Sequence, residues 1–257
     1  MAVINRLPVR RVSGVAGHGL DSRAWPMTLA PVRQLIEGGV DLDPVTVLVG
    51  ENGTGKSTIV EAIAMAYGLS SEGGSTGALH STRATESDLW ESLLLERSAG
   101  LRKWGYFLRA ETMHGLYSYL EDHPGKEPDP DFHRLSHGES FMAMLATRRF
   151  QKGGFFVLDE PEAGLSFVSQ LTLIGQLAEL VAEGRTQLVI ATHSPVLARL
   201  PGARLLQLDE RGITEVGWDE LAVVDHYRAF LADPDVYLHH LLPSGTLFSK
   251  GPDTGRR

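Results

Sequence analysis

Residues Gly50-Glu51-Asn52-Gly53-Thr54-Gly55-Lys56-Ser57-Thr58 constrain this chain more than any other stretch. They fit the pattern G-x-x-x-x-G-K-[ST]. Pro44 opens PVTVLVG just ahead of them, with Val45, Val47 and Val49 alternating and Leu48 also apolar, which predicts a short buried strand. Directly behind, in IVEAIAMAY, Ile59, Ala62, Ile63 and Ala66 keep helical spacing and Gly68 suits a C-terminal stop. The order is therefore strand, glycine-rich loop, helix. In such a loop successive backbone N–H groups point inward around an anion, where a Cβ would obstruct them. The helix from Lys56 adds its positive end at the same spot. The reading is a phosphate cradle, in which Lys56 reaches the β- and γ-phosphates of a nucleotide and the Ser57 hydroxyl meets Mg2+.

Composition bounds what can surround that cradle. With 257 residues the chain predicts one domain, or one with a small subdomain, long enough to bury a substantial core. It contains no cysteine, which excludes disulfides, iron–sulfur clusters, thiolate zinc sites and a cysteine nucleophile. No apolar stretch approaches the roughly 20 residues needed to cross a bilayer. The start, MAVINRLPVRRVSG, has no apolar core of a secretory leader, so a cytoplasmic location is expected. The formal charge of −8 argues against constitutive coating of nucleic acid.

A second motif supplies carboxylates. Phe155-Phe156-Val157-Leu158 reads as a central strand, and Asp159 and Glu160 emerge at its end. Asp159 is placed to hold Mg2+, and Glu160 to orient or deprotonate an attacking water. Around these pieces the pattern predicts strands at Val9–Val15, Trp104–Arg109, Gln187–Ala191 and a hairpin across Asp209–Gly212. Helices are expected at Ala30–Glu37, over SDLWESLLLERS with Ser87 as cap, at Thr112–Leu120, from LSHGES through FMAMLATRRF, and over Ser166–Ala182. Two more are expected near Asp219–Leu231 and Pro234–Leu241. Alternating strands and helices imply a largely parallel sheet with ligands at its carboxyl edge.

With Leu135-Ser136-His137-Gly138-Glu139-Ser140 the chain resembles an ABC-type P-loop ATPase, of the small, soluble, single-head RecF/SMC-like kind. LSHGES is similar to the family signature L-S-G-G-Q and departs from it at His137 and Glu139. Ser136 and Glu139 also form a capping-box pattern, and Gly138 keeps that surface low. Glu160-Pro161-Glu162-Ala163-Gly164-Leu165-Ser166 resembles the family's D-loop, and His193 in Ala191-Thr192-His193-Ser194-Pro195 its switch histidine, which would contact the γ-phosphate and Glu160. The family's Q-loop glutamine has no counterpart in WGYFLRAE; Glu111 is the best substitute there as a metal ligand, and is equally read as a solvated helix-start residue. Arg23 and Trp25 are the candidates to pack on adenine, with ordinary packing at least as good a reading. His133 and His137 share i,i+4 spacing without a third ligand nearby, which does not make a metal site.

The resemblance implies an α/β fold: a mostly parallel central sheet flanked by helices, a small antiparallel β part and a helical subdomain at about 69–150. One domain would cover 1–245, ahead of a polar tail at 246–257. It implies ATP and Mg2+ as ligands, with catalytic Glu160, His193 and Lys56. Gly50, Glu51, Asn52, Gly53, Thr54, Gly55, Lys56, Ser57 and Thr58 would bind nucleotide from one chain, and Ser136, Gly138 and Glu139 from a second. Ser57, Asp159 and Glu111 would face the metal. Two ATPs at the interface of a head-to-tail homodimer would then drive association, and hydrolysis release it. The short interval between Ser57 and Ser136 leaves no room for the long coiled coil of chromosome-maintenance ATPases. Two other roles stay open: the energising subunit of a membrane transporter, and a non-hydrolysing ATP clamp on a partner. Association with DNA or a protein partner stays open and a membrane partner is the less favoured, although Arg148-Arg149 and Arg256-Arg257 read as solvated charge.

Overall fold

The computed structural model describes residues 7–76, 87–123 and 129–239. In chain order the elements are β1 (Arg11–Gly14), α1 (Ala30–Gly38), β2 (Val40–Asp41), β3 (Val45–Gly50), α2 (Lys56–Tyr67), β4 (Gly74–Ser75), β5 (Leu93–Glu96) and β6 (Gly105–Arg109). Then come α3 (Met113–Asp122), α4 (His137–Leu145), α5 (Arg148–Gln151), β7 (Gly154–Asp159), α6 (Phe167–Ala182) and β8 (Thr186–Thr192). Hairpin strands β9 (Arg204–Asp209) and β10 (Gly212–Glu215) and helices α7 (Ala222–Ala232) and α8 (Pro234–Leu238) complete the order. The expected tail at 246–257 and Arg256-Arg257 lie outside the described residues.

Seven strands form the main sheet in the order β10-β9-β3-β8-β7-β6-β4. The five inner strands pair in parallel, and only the edge strands β10 and β4 run antiparallel. Side chains alternate across each inner strand. Val45, Val47 and Val49 join Phe156, Leu158 and Ile190 in one core with α3, α4 and α6. Leu48, Phe155, Val157 and Val189 enter the other with α1 and α2. Both faces are covered, which is why these strands read as continuous apolar runs. A second, antiparallel sheet β2-β1-β5 contributes Val12 and Leu93 to the core that holds α1 and α2.

Two elements differ from the sequence reading. SDLWESLLLERS is not an α-helix: Ser87 does cap Asp88–Ser92, a short 3-10 turn, but Leu93–Glu96 is strand β5, paired with β1 from Gly14↔Leu93 to Arg11↔Glu96. Leu93 is buried while Leu94 is half exposed, so tertiary pairing overrides the helical propensity of a leucine run. The helix after LSHGES breaks at Ala146-Thr147 into α4 and α5. The stretch 69–150 is also mixed, since it supplies β4 and β6 to the main sheet and β5 to the small one.

Candidate active site

Parallel pairing brings strand ends to one edge. β8 lies between β3 and β7, with Val49 opposite Thr192 and Asp159 opposite Ala191. The phosphate-loop strand and the carboxylate strand therefore lie either side of one strand and finish on the same edge, where an open parallel sheet binds ligands.

The loop between β3 and α2 has the backbone its glycines allow. Gly53 and Gly55 sit at φ 81° and 94°, the left-handed region. At Gly50 a Cβ would stand 2.5 Å from the Leu208 carbonyl oxygen, so this residue must be small for β9 to pass. The Thr54 hydroxyl donates to the Glu51 carbonyl at 2.9 Å, and so does Lys56 Nζ at 2.9 Å. Lys56 is buried. Burial pushes its ammonium below the usual lysine range, while Glu160, Asp159, Glu162 and Glu51 pull it back. Those four carboxylates offset the Lys56 charge in its buried setting. The cleft at this spot has a volume of about 230 Å³. Lys56, Ser57, Thr58, Glu160 and Trp25 line it together with the glycine loop. Of the two candidates to pack on adenine, Trp25 thus stands at the cleft; Arg23 is exposed and its backbone N–H donates to Asp21.

Ser57 Oγ donates to Asp159 Oδ1 at 3.0 Å, joining α2 to the end of β7. The Asp159 carboxyl is pushed up to about 6, chiefly by burial and against the pull of Arg109 and Ser57. A hydroxyl and a desolvated carboxylate meeting at hydrogen-bond distance are hard oxygen donors, which fit Mg2+. Glu160 follows at φ 49°, an uncommon conformation for a residue with a Cβ, and its N–H donates to the Ala191 carbonyl at 2.9 Å. Strict strand alternation would send Glu160 to the face opposite Asp159; the left-handed turn returns its side chain to the cleft. His193 follows β8, with Nδ1 3.6 Å from Glu160 Oε1.

Sequence reading missed two residues. Arg109 ends β6 directly opposite Asp159. Its guanidinium donates to Glu61 at 2.5 Å and stands 3.4 Å from Asp159 Oδ2. The signal was present in the parallel register of two apolar strands, which a linear scan does not align. Glu162 is the other, buried beneath the loop that carries His193. Glu111 stands exposed, 3.6 Å from Arg109, and like Asp159 and His193 it does not line the cleft itself. Among the described residues no group of three or more His, Asp and Glu side chains is gathered as a metal cage.

The signature segment forms the start of α4. Ser136 Oγ accepts from the Glu139 N–H at 3.4 Å, and the Ser136 N–H donates to Glu139 at 2.9 Å, completing the capping box. These bonds hold the Glu139 carboxyl below its usual range. A Cβ on Gly138 would meet Leu165 Cδ2 at 2.5 Å, so this glycine also makes room for the turn after β7. Ser136, Gly138 and Glu139 do not line the cleft around Lys56.

An AAA-domain family profile matches residues 32–89, which include the phosphate loop. A second AAA-domain profile, whose description names the AbiEii toxin of a Type IV TA system, matches residues 140–199, which include Asp159, Glu160 and His193. The chain is 26% identical to the aliphatic sulfonates import ATP-binding protein SsuB 2 of Rhodococcus jostii, over 81% of this chain and 89% of that protein. It is 31% identical to the zinc import ATP-binding protein ZnuC of Vibrio cholerae, over 50% of this chain and 49% of that one. The chain spans about half the length, or less, of the first curated relatives it matches. Among solved structures, the SMC head domain from Thermotoga maritima superposes with a TM-score of 0.42 at 17% identity, over 70% of this chain and 93% of that one. The glycine loop and β7 carboxylates meet in this way in a chain that is similar, over most of its length, to an ATP-binding protein named for sulfonate import, and that carries two AAA-domain matches, one over the loop and one over the carboxylates.

Proposed function

We propose that this chain binds ATP with Mg2+ in the cleft beside Lys56 and hydrolyses it to ADP and phosphate. One observation carries the reading: Lys56, Ser57, Asp159, Glu160 and His193, far apart in sequence, meet at one sheet edge. The N–H groups of residues 53–58 and Lys56 Nζ would hold the β- and γ-phosphates. Ser57 and Asp159 would hold Mg2+, which when bound neutralises charge on the transferring phosphoryl group. Glu160, lining the cleft, orients a water in line with the γ-phosphorus and accepts its proton. The bond from that phosphorus to the β–γ bridging oxygen breaks, and ADP leaves. His193, within 3.6 Å of Glu160, steadies the carboxylate and reaches the γ-phosphate. Trp25 packs on the base.

The signature start of α4 lies outside this cleft. We infer that Ser136, Gly138 and Glu139 serve the nucleotide of a second copy in a head-to-tail homodimer, so that ATP binding drives association and hydrolysis reverses it. Glu160→Gln tests both halves. The expected outcome is loss of phosphate release by at least a hundredfold, with an ATP-bound dimer accumulating in sizing chromatography. Unchanged phosphate release would refute the mechanism.

A second reading is favoured by the relatives named for sulfonate and zinc import: an energising subunit that docks on a membrane partner. Among the described residues no helix is long and apolar enough to cross a membrane, so such a partner would supply the span. Turnover by the purified chain alone, unaffected by membrane extracts, would count against it.

A further inference from the structure

Glu162 lies two residues beyond Glu160, in the turn that leaves β7, and its side chain is only 3% exposed. Burying a carboxylate that far from water is costly, and hydrogen bonds offset part of the cost. Oε1 is occupied twice. The hydroxyl of Thr192, the last residue of β8, donates to it, and so does the main-chain N–H of His193 at 3.1 Å. Oε2 is buried with no hydrogen-bond partner. His193 Nδ1 stands 3.7 Å from Glu162 Oε1 and 3.6 Å from Glu160 Oε1, so the ring is suspended between two carboxylates of one turn.

A second stitch joins the same two loops. Ser194 Oγ donates to Gln170 Oε1 at 2.7 Å, and Gln170 Nε2 donates to the Leu165 carbonyl at 3.3 Å. Leu165 in turn packs where a Cβ on Gly138 would fall. A continuous path of contacts thus runs from the start of α4, through the turn 160–166, to the loop that carries His193.

We propose that Glu162 is a positioning residue for His193: it anchors the exit of β8 through Thr192 and the His193 N–H, and so fixes the imidazole over Glu160. Its burial and its bonds set this role apart from that of Glu160, which lines the cleft. The inference rests on the proposed hydrolysis at Glu160.

The test compares Glu162→Ala with Glu162→Gln in the full chain, beside Glu160→Gln. The amide oxygen of glutamine can still accept from Thr192 and from the His193 N–H. Glu162→Ala is expected to lower phosphate release at saturating ATP at least tenfold, with the ATP concentration for half-saturation changed less than about twofold. Glu162→Gln should recover most of that loss. In nucleotide-free protein, the imidazole ¹⁵N resonances of His193, assigned with His193→Asn, should move in Glu162→Ala and stay near the parent in Glu162→Gln. If Glu162→Ala fails to fold, Thr192→Ala removes one of the two donors and should lower turnover without changing half-saturation. Wild-type turnover and unmoved His193 resonances in Glu162→Ala, or in Thr192→Ala where that stands in, would overturn the proposal, as would a Glu162→Gln protein as impaired as Glu162→Ala. Should Glu160→Gln itself retain turnover, the hydrolysis reading fails instead; the His193 resonances still decide on Glu162.

Discussion

Asp159 illustrates how a single side chain trades stability for readiness to bind. Burial lifts its carboxyl to about 6 from an ordinary value near 3.8, and Arg109 and Ser57 only partly offset that lift. Because the folded form holds the proton more tightly than the unfolded one, this group makes stability fall as pH rises from about 4 to about 6, with no further loss above. Two units correspond to roughly 3 kcal/mol at most. Asp159→Asn should therefore melt higher than the parent at pH 7.5, by about 1–3 kcal/mol, and the gap should close near pH 4. Denaturant titrations of both proteins at the two pH values check this, and a gap that stays constant would contradict burial as the cause. What the sequence made legible at this scale was contiguous chemistry. Lys56 and Ser57 sit in one run of nine residues whose backbone demands are written in its glycines. Arg109 and Glu162 were illegible because their meaning comes from partners far along the chain, Asp159 in one case and Thr192 and His193 in the other.

Elements were legible where a pattern was strong on its own. β3, β7 and β8 announced themselves as apolar runs because helices cover both faces of the sheet. α6 announced itself through its length and its cap: Ser166 Oγ accepts from the Ser169 N–H at 3.1 Å. Ser166→Ala should cost about 1 kcal/mol of stability by removing that cap, measurable as a lower denaturant midpoint with an unchanged slope. Since α6 is the element that carries Gln170, fraying of its first turn should also loosen the loop held by Ser194. Where two structures compete for one sequence, local reading failed. LLLE has the propensity of a helix, but its neighbour β1 offers a free edge, and pairing along four residues decides the outcome. Likewise β4 is too short for any pattern, and only its pairing with Tyr106 and Phe107 makes it a strand.

For the molecule as a whole, strand order was not readable from the chain. The sequence shows that the inner strands are parallel, but not that β8, late in the chain, separates β3 from β7. That interposition sets the spacing between the glycine loop and the carboxylates, because each is referenced to β8 by its own ladder of hydrogen bonds. A one-residue slip in a strand exchanges its two faces. One alanine inserted between Val189 and Ile190 should thus abolish both nucleotide binding and a cooperative melt. One glycine inserted between Glu210 and Arg211, in the exposed hairpin connection, should leave binding unaltered and the melting temperature within a few degrees. Fluorescent-nucleotide titration alongside thermal melts separates the two. Strand β8 thereby serves as the datum line for the whole carboxyl edge of the sheet: length can drift at the rim of this architecture, while its central ruler tolerates no recalibration.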